Sequence, residues 1–313
     1  MTATVFSSDF KRRFKKALYR DWQYYLLALP AVVYIAIFSY GPMYGIQIAF
    51  RDFLASRGIW GSEWVGLKHF ERFFTTPQSW TLIRNTLILN IYGLFAGTPV
   101  VITLALIFNQ TRNLKFKKVV QTTMYAPHFI SMVVMCGMIT LFLSPSAGLV
   151  NAVIERLGGE RIFFLARQSM WRHIYIWSGV WQSAGWGTII YVAALSSVNP
   201  ELYESARIDG ATKMQLIRHI DIPALIPTFT ILLVLNIGSM MSLGFQKAFL
   251  LQNAFNLGVS EIISTFVYKV GLTLAVPQFS YSTAISLFNT VINVVLLLGA
   301  NKLAKTLTET SLF

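Results

Sequence analysis

The sequence predicts an all-α membrane protein, a polytopic bundle of about six transmembrane helices with both termini on the same side. Three observations carry that reading. Of 313 residues, 55% are hydrophobic and only 12% charged, whereas soluble domains carry about 25% charged residues; so few charges could not cover a soluble fold of this length. Six apolar stretches are each long enough to cross about 30 Å of hydrocarbon at 1.5 Å per residue. Lys and Arg crowd into the first tail and one short loop, the density expected of segments on the cytoplasmic side.

Residues 1–22 form a basic tail with Lys11, Arg12, Arg13, Lys15, Lys16 and Arg20. Its polar lead and the span that follows are too long for a cleaved signal peptide, so it reads as a cytoplasmic tail. Span one covers Tyr24 to Phe50, with Pro30, Gly41, Pro42 and Gly45 marking kinks or close packing that neighbouring helices can accommodate. Arg51 to Trp80 is polar and aromatic, with Trp60, Trp64, Phe70, Phe73 and Phe74, and suits an external interfacial segment. Span two runs from Thr81 to Phe108. The short loop after it holds Arg112, Lys115, Lys117 and Lys118 and no acid, which places it inside. Span three is Val119 to Phe142, with Pro127 and His128 within it. Ser144 to Arg172 is external yet holds Arg156, Arg161, Arg167 and Arg172, so the charge asymmetry is modest overall. Span four is His173 to Val198, span five Thr228 to Leu251, and span six Ser282 to Leu303. Gln252 to Tyr281 is external and partly re-entrant, and residues 306–313 are a cytoplasmic C-terminal tail. The segment 23–305 is thus one membrane domain, without internal repeats.

Between spans four and five lies a polar interval, 199–227, with its own grammar. Asn199 can N-cap a helix with Pro200 at its first position. Glu201 and Glu204 suit the positive end of the helix dipole. Gly210 allows a left-handed exit. Thr212 and Gln215 have capping-box spacing, and Pro223 is expected to stop the second helix. Two short helices with a sharp bend follow from this pattern, on the cytoplasmic side.

The same residues resemble a known motif. Glu204-Ser205-Ala206, Asp209-Gly210-Ala211 and Ile220-Asp221-Ile222-Pro223 look like the Glu-Ala-Ala loop of binding-protein-dependent ABC importer permeases, with Ser205 in place of the first Ala and Ile222 in place of Leu. The likeness extends over residues 20–305 through Leu29-Pro30-Ala31, Tyr40-Gly41-Pro42-Met43-Tyr44-Gly45, Val65-Gly66-Leu67, Asn85-Thr86, Tyr125-Ala126-Pro127-His128-Phe129-Ile130-Ser131, Gly148-Leu149-Val150-Asn151 and Gly244-Phe245-Gln246. These look like the sugar-uptake, maltose-type permeases, nearest to the oligosaccharide and polysaccharide branch that includes alginate and aldouronate importers. The resemblance implies a type I importer permease in a bacterial cytoplasmic membrane. It implies a second homologous permease as partner in a heterodimer, two ATPase subunits that use ATP and Mg, and an external solute-binding protein. The loop would be the coupling helix, with Glu204, Ser205, Ala206, Arg207, Asp209, Gly210, Ala211, Arg218 and Pro223 as its coupling residues. For Glu204, an ordinary helix-dipole carboxylate is the plainer alternative.

No G-x-x-x-x-G-K-[ST] occurs in the sequence, so no phosphate-cradling loop is expected and ATP chemistry belongs to a partner. His69, His128, His173 and His219 lack metal-ligand spacing, and no cofactor is expected on this chain. The charge of +13 follows largely from orientation, and no basic groove interleaved with aromatics suggests nucleic acid. Cys136, the single cysteine, is expected as a small buried hydrophobe. Candidates for the substrate path are the amides and aromatics at membrane depth: Asn90, Gln121, Trp181, Gln182, Trp186, Asn236, Gln246, Asn289 and Asn293. Each could equally serve as an interhelical hydrogen bond. Lys247 suits either an acidic sugar or snorkelling to the interface. The rival class, an ion- or proton-coupled secondary transporter, would carry acids within its spans, and this chain has almost none there.

Overall fold

A computed structural model describes residues 20–308. The basic tail before Arg20 and the last five residues lie outside them, and with them the expectations placed on those segments. The chain divides into two compact units, residues 1–66 and 67–313.

In the first unit, helix α1 (Trp22–Phe50) is 29 residues long, about 44 Å at 1.5 Å per residue, enough to cross a bilayer with tilt. It contains a π turn over Ala36–Tyr40, closed by Gly41 N–H to the Ala36 carbonyl, with Pro42 two residues after its end. A proline ring collides with the carbonyl four residues back in a regular α-helix; the wider turn moves that carbonyl away. A two-stranded hairpin follows, β1 (Arg51–Asp52) against β2 (Glu63–Trp64). The Arg51 guanidinium lies over Trp60 and Trp64 and donates to the Ser62 carbonyl at 2.8 Å.

The second unit is helical. Its elements are α2 (Lys68–Thr75), α3 (Pro77–Gln110), α4 (Leu114–Tyr125, continued as a 3-10 turn Ala126–Phe129), α5 (Met132–Phe142) and α6 (Leu149–Arg156). After these come α7 (Gln168–Ser196), α8 (Pro200–Ile208) and α9 (Lys213–Gly238). The chain closes with α10 (Phe245–Leu251), α11 (Leu257–Ser260), α12 (Ile263–Tyr268) and α13 (Phe279–Thr308).

Helices α3 and α7 make the main seam. Gly93 faces Ile176, Gly97 faces Val180, and Gly187 faces Val101, so the two run parallel. The Gly93-x-x-x-Gly97 spacing on α3 meets Ile176 and Val180 on α7, small residues on one helix letting the other approach. On its other side α7 touches α4, where a Cβ at Gly185 would stand 2.0 Å from the Met124 carbonyl oxygen; only glycine fits.

Several spans depart from expectation. Span two begins at Pro77, and α4 starts at Leu114, so the basic residues Lys115, Lys117 and Lys118 are helical and the loop shrinks to 111–113. Span three is not one rod: α4 with its 3-10 end meets α5 at 93°. The break falls at Ile130–Ser131, where Pro127 has already ended regular hydrogen bonding and Ser131 caps α5 by accepting from Val134 N–H at 3.3 Å. Buried Gln182 of α7 plugs the corner, donating to the Ile130 carbonyl at 2.8 Å. Among the described residues four helices (α1, α3, α9 and α13) are long and apolar enough to cross a membrane, five if α4 and α5 count as one span. Helix α7 completes the expected six by length, 29 residues. It is less apolar because Trp, Ser, Gly and Gln residues are interspersed along it; of these Trp171, Gln182 and Gly185 are buried against other helices, whereas Trp177, Trp181 and Trp186 are exposed.

Pro223 does not stop a helix. Helix α9 runs on through it to Gly238, after a second π turn over Ile217–Asp221 closed by Ile222 N–H to the Ile217 carbonyl. The arrangement repeats that of α1, a π turn with proline two residues on. Span five therefore begins earlier than Thr228 and ends at Gly238, with α10 a separate short helix. Asn293 of α13 steadies the break, accepting from Met241 N–H at 2.8 Å and donating to Ser242 Oγ at 2.7 Å.

The segment expected as external, Gln252 to Tyr281, holds α11 and α12. It is fastened to α3 by Asn85, which donates to the Gly258 and Glu261 carbonyls, and by Thr86, whose hydroxyl accepts from Ile263 N–H at 3.2 Å.

Candidate functional site

Two places in the second unit combine polar chemistry with a defined shape: the loop 199–221 and a cavity beside the α3–α7 seam.

The loop is built as its sequence grammar predicts. The Asn199 side chain accepts from Glu201 N–H at 3.0 Å. Helix α8 ends in a Schellman turn, with Ala211 N–H to the Ala206 carbonyl at 2.9 Å and Gly210 N–H to the Arg207 carbonyl at 3.1 Å. Gly210 sits at φ +80°, where a Cβ is strained. Thr212 and Gln215 then form a complete capping box. Glu204, Ser205, Arg207, Asp209 and Arg218 are all exposed, and Ala206 and Ala211 half-buried. None of the four charged ones is ion-paired among the described residues. Apolar side chains stand out beside them: Ile208 is 86% and Met214 70% exposed. A protein surface that holds out charges and large aliphatics on a capped, rigid bend is shaped for a protein partner.

What sequence reasoning missed is the anchor beneath. Asp221, fully buried, accepts from Tyr203 Oη at 2.6 Å, Asn109 Nδ2 at 3.0 Å and Gln110 Nε2 at 2.7 Å. One carboxylate thereby ties α8, the π turn and the end of α3 together. Burial above all, and then this hydrogen bond to a carboxylate, push the Tyr203 phenol up to about 12. The signal in the sequence was a lone acid directly after an apolar isoleucine, with no hint of partners 111 residues away.

The cavity, about 500 Å³, lies between α3, α7, the break after α9, and α10. That is within the about 300–1,000 Å³ usual for ligand pockets. It follows α3 from Leu89 to Val101, about 18 Å at 1.5 Å per residue. Its walls are mostly apolar, with Asn90, Thr98, Ser183, Asn236, Ser239 and Lys247 as the polar groups. Of the residues expected on a substrate path, Asn90 and Asn236 line it. Gln182 and Asn293 make the structural hydrogen bonds described above. Trp186 stacks on His128 with centroids 4.5 Å apart. Trp181 and Gln246 are exposed, Gln121 is half-buried, and Asn289 holds a buried Oδ1 without a hydrogen-bond partner; none of these four lines the cavity. Among the described residues no group of His, Cys, Asp and Glu could hold a metal ion.

Comparison with known proteins places this geometry. The pattern of the family described as "Binding-protein-dependent transport system inner membrane component" matches residues 102–307. The chain is 43% identical over 311 residues to the polygalacturonan/rhamnogalacturonan transport system permease protein YteP of Bacillus subtilis (strain 168), covering 99% of this chain and 96% of that protein. It is 40% identical over 297 residues to Protein LplB of the same organism, covering 95% and 93%. Among solved structures, it resembles a chain of a bacterial ABC transporter involved in the import of the acidic polysaccharide alginate, with TM-score 0.87, 39% identity, and 95% and 99% of the two chains covered. A second structure of the bacterial alginate ABC transporter, in complex with an alginate pentasaccharide-bound periplasmic protein, matches with TM-score 0.87 and 38% identity over 96% of this chain and 100% of that one.

Proposed function

This chain belongs to the family of binding-protein-dependent transport system inner membrane components, a permease of a sugar-importing ABC system, and on that premise we propose that its cargo is an acidic oligosaccharide built of uronate units. The observation that carries the proposal is the full-length similarity to a polygalacturonan/rhamnogalacturonan permease and to an alginate importer. The two polysaccharides differ in sugar and linkage and share a carboxylate on the repeating unit.

The remaining assignments follow from the same reading. A solute-binding protein delivers the oligosaccharide from outside, a second, non-identical permease completes the pathway, and two ATPase subunits bind on the cytoplasmic side. The loop at 199–221 seats on an ATPase, with Ile208 and Met214 as its apolar contacts and Glu204, Arg207, Asp209 and Arg218 as its charged ones. Closure of the ATPase pair displaces α8, and the Asp221 cluster passes that displacement to the end of α3. A short capped helix fixed at one point by four side chains is stiff enough to transmit a rigid-body movement.

The test is reconstitution of the complete importer in proteoliposomes with tetragalacturonate as cargo. Uptake is expected to need the binding protein and ATP hydrolysis and to survive ionophores that collapse ion gradients. Uptake that continues without hydrolysis and stops with the ionophore would instead identify a secondary transporter.

A further inference from the structure

The cavity holds one charged group, Lys247, and its environment is unusual. The residue is 6% exposed, and among the described residues no carboxylate pairs with it. Its ammonium donates to the Tyr175 carbonyl and lies 4.7 Å from the centre of the Tyr175 ring. An ammonium carries three N–H donors; a single protein acceptor leaves two of them without one. A Cβ at Gly179 would stand 2.8 Å from Nζ, so glycine there leaves the space the ammonium occupies. Lys247, Gly179 and Ser183 all line the cavity.

A buried charge normally has a partner, because desolvation costs more than one neutral hydrogen bond returns. The geometry points to Lys247 as the specificity residue of the cavity, an ammonium that pairs with the carboxylate of a uronate unit as it passes between α3 and α7. Tyr175 holds the ammonium in place from behind through its carbonyl and ring, and the free N–H groups take the carboxylate oxygens in charge-assisted hydrogen bonds. Asn90 and Asn236, which also line the cavity, supply amides for sugar hydroxyls. A neutral sugar would leave the ammonium unpaired, so the site discriminates by charge. This inference rests on an acidic oligosaccharide being the cargo.

The experiment uses the assembled importer in nanodiscs without the delivery protein and follows equilibrium binding of radiolabelled tetragalacturonate. Lys247→Gln is expected to weaken binding about tenfold, the loss of one charged hydrogen-bonded contact, and Lys247→Arg to stay within about twofold of wild type. Wild-type binding should weaken as salt rises, whereas the Gln variant should show a flatter salt dependence. Equal binding by wild type and Lys247→Gln, with equal salt slopes, overturns the assignment while leaving uptake of the uronide intact. Failure of both Lys247→Gln and Lys247→Met to assemble also overturns it, because the lysine would then serve packing. Absence of any tetragalacturonate uptake by the wild-type importer in proteoliposomes would instead remove the cargo reading on which the assignment stands.

Discussion

Asp221 and Lys247 are both charged, both buried, and lie in the same helical unit, yet their surroundings are opposite. Asp221 has three side-chain donors from two other elements, so its charge is answered within the chain. Lys247 has one backbone acceptor and an aromatic face. The difference teaches how to tell a charge that holds a structure from one that awaits something. A saturated buried ion fixes the elements around it, and an under-satisfied one beside a cavity is left available to a ligand. The comparison can be broken or sharpened by substituting each in turn.

The largest effect is expected for Asp221→Leu. It strands the hydroxyl of Tyr203 and the amides of Asn109 and Gln110, each uncompensated donor costing about 1–3 kcal/mol. Backbone amides of 200–208 should exchange with deuterium at least about a hundredfold faster, since about 2.7 kcal/mol is a factor of a hundred. Unchanged exchange would mean that α8 is held by something other than the carboxylate. The opposite substitution, Lys247→Met, should leave the thermal stability of the assembled complex unchanged or raise it by about 1 kcal/mol, because an apolar chain of similar length replaces an unpaired charge. A marked loss of stability there would erase the contrast.

Tyr203→Phe removes one donor while leaving two, so the expected loss is about 1 kcal/mol, read by the same exchange experiment. It also has a pH signature. The phenol titrates at 10.0 in the unfolded chain and at about 12 in place. A pKa raised on folding gives stability that is complete below the unfolded value and is lost as pH climbs from there through the folded one. Protection of α8 should therefore decline between pH 10 and 12, and the phenylalanine variant should lack that decline. Gly210→Ala is the mildest change, about 1 kcal/mol for a side chain at positive φ. It should loosen the bend after α8 without disturbing the carboxylate cluster, which a proton spectrum of the Tyr203 hydroxyl would report.

The loop was legible because its determinants are local. Asn199, Gly210 and the Thr212–Gln215 pair each act over at most a few residues, and all behave as their chemistry requires. Most span positions were legible too, since a long apolar run needs no partner to be recognised. The corner at Ile130 was not, because Pro127 alone permits a kink and the 93° angle depends on Gln182 arriving from another helix. Pro223 misled for a related reason: a proline ends an α-helix only if the preceding turn is regular, and π turns before Pro42 and Pro223 remove the collision. The Asp221 cluster joins positions more than a hundred residues apart, and neither side advertises the other. The contact of Lys247 with Tyr175 likewise became visible only once α7 and α10 were side by side.

Helix α7 is packed on both flanks, against α3 at ordinary van der Waals distance where Gly93 and Gly97 meet Ile176 and Val180, and against α4 at Gly185, where the Met124 carbonyl leaves no room for a side chain. At Gly185 the backbones of α7 and α4 are too close for either helix to slip past the other. The slack for any opening of the cavity then resides in the opposite wall, where the polypeptide unwinds after Gly238 and begins again at Phe245.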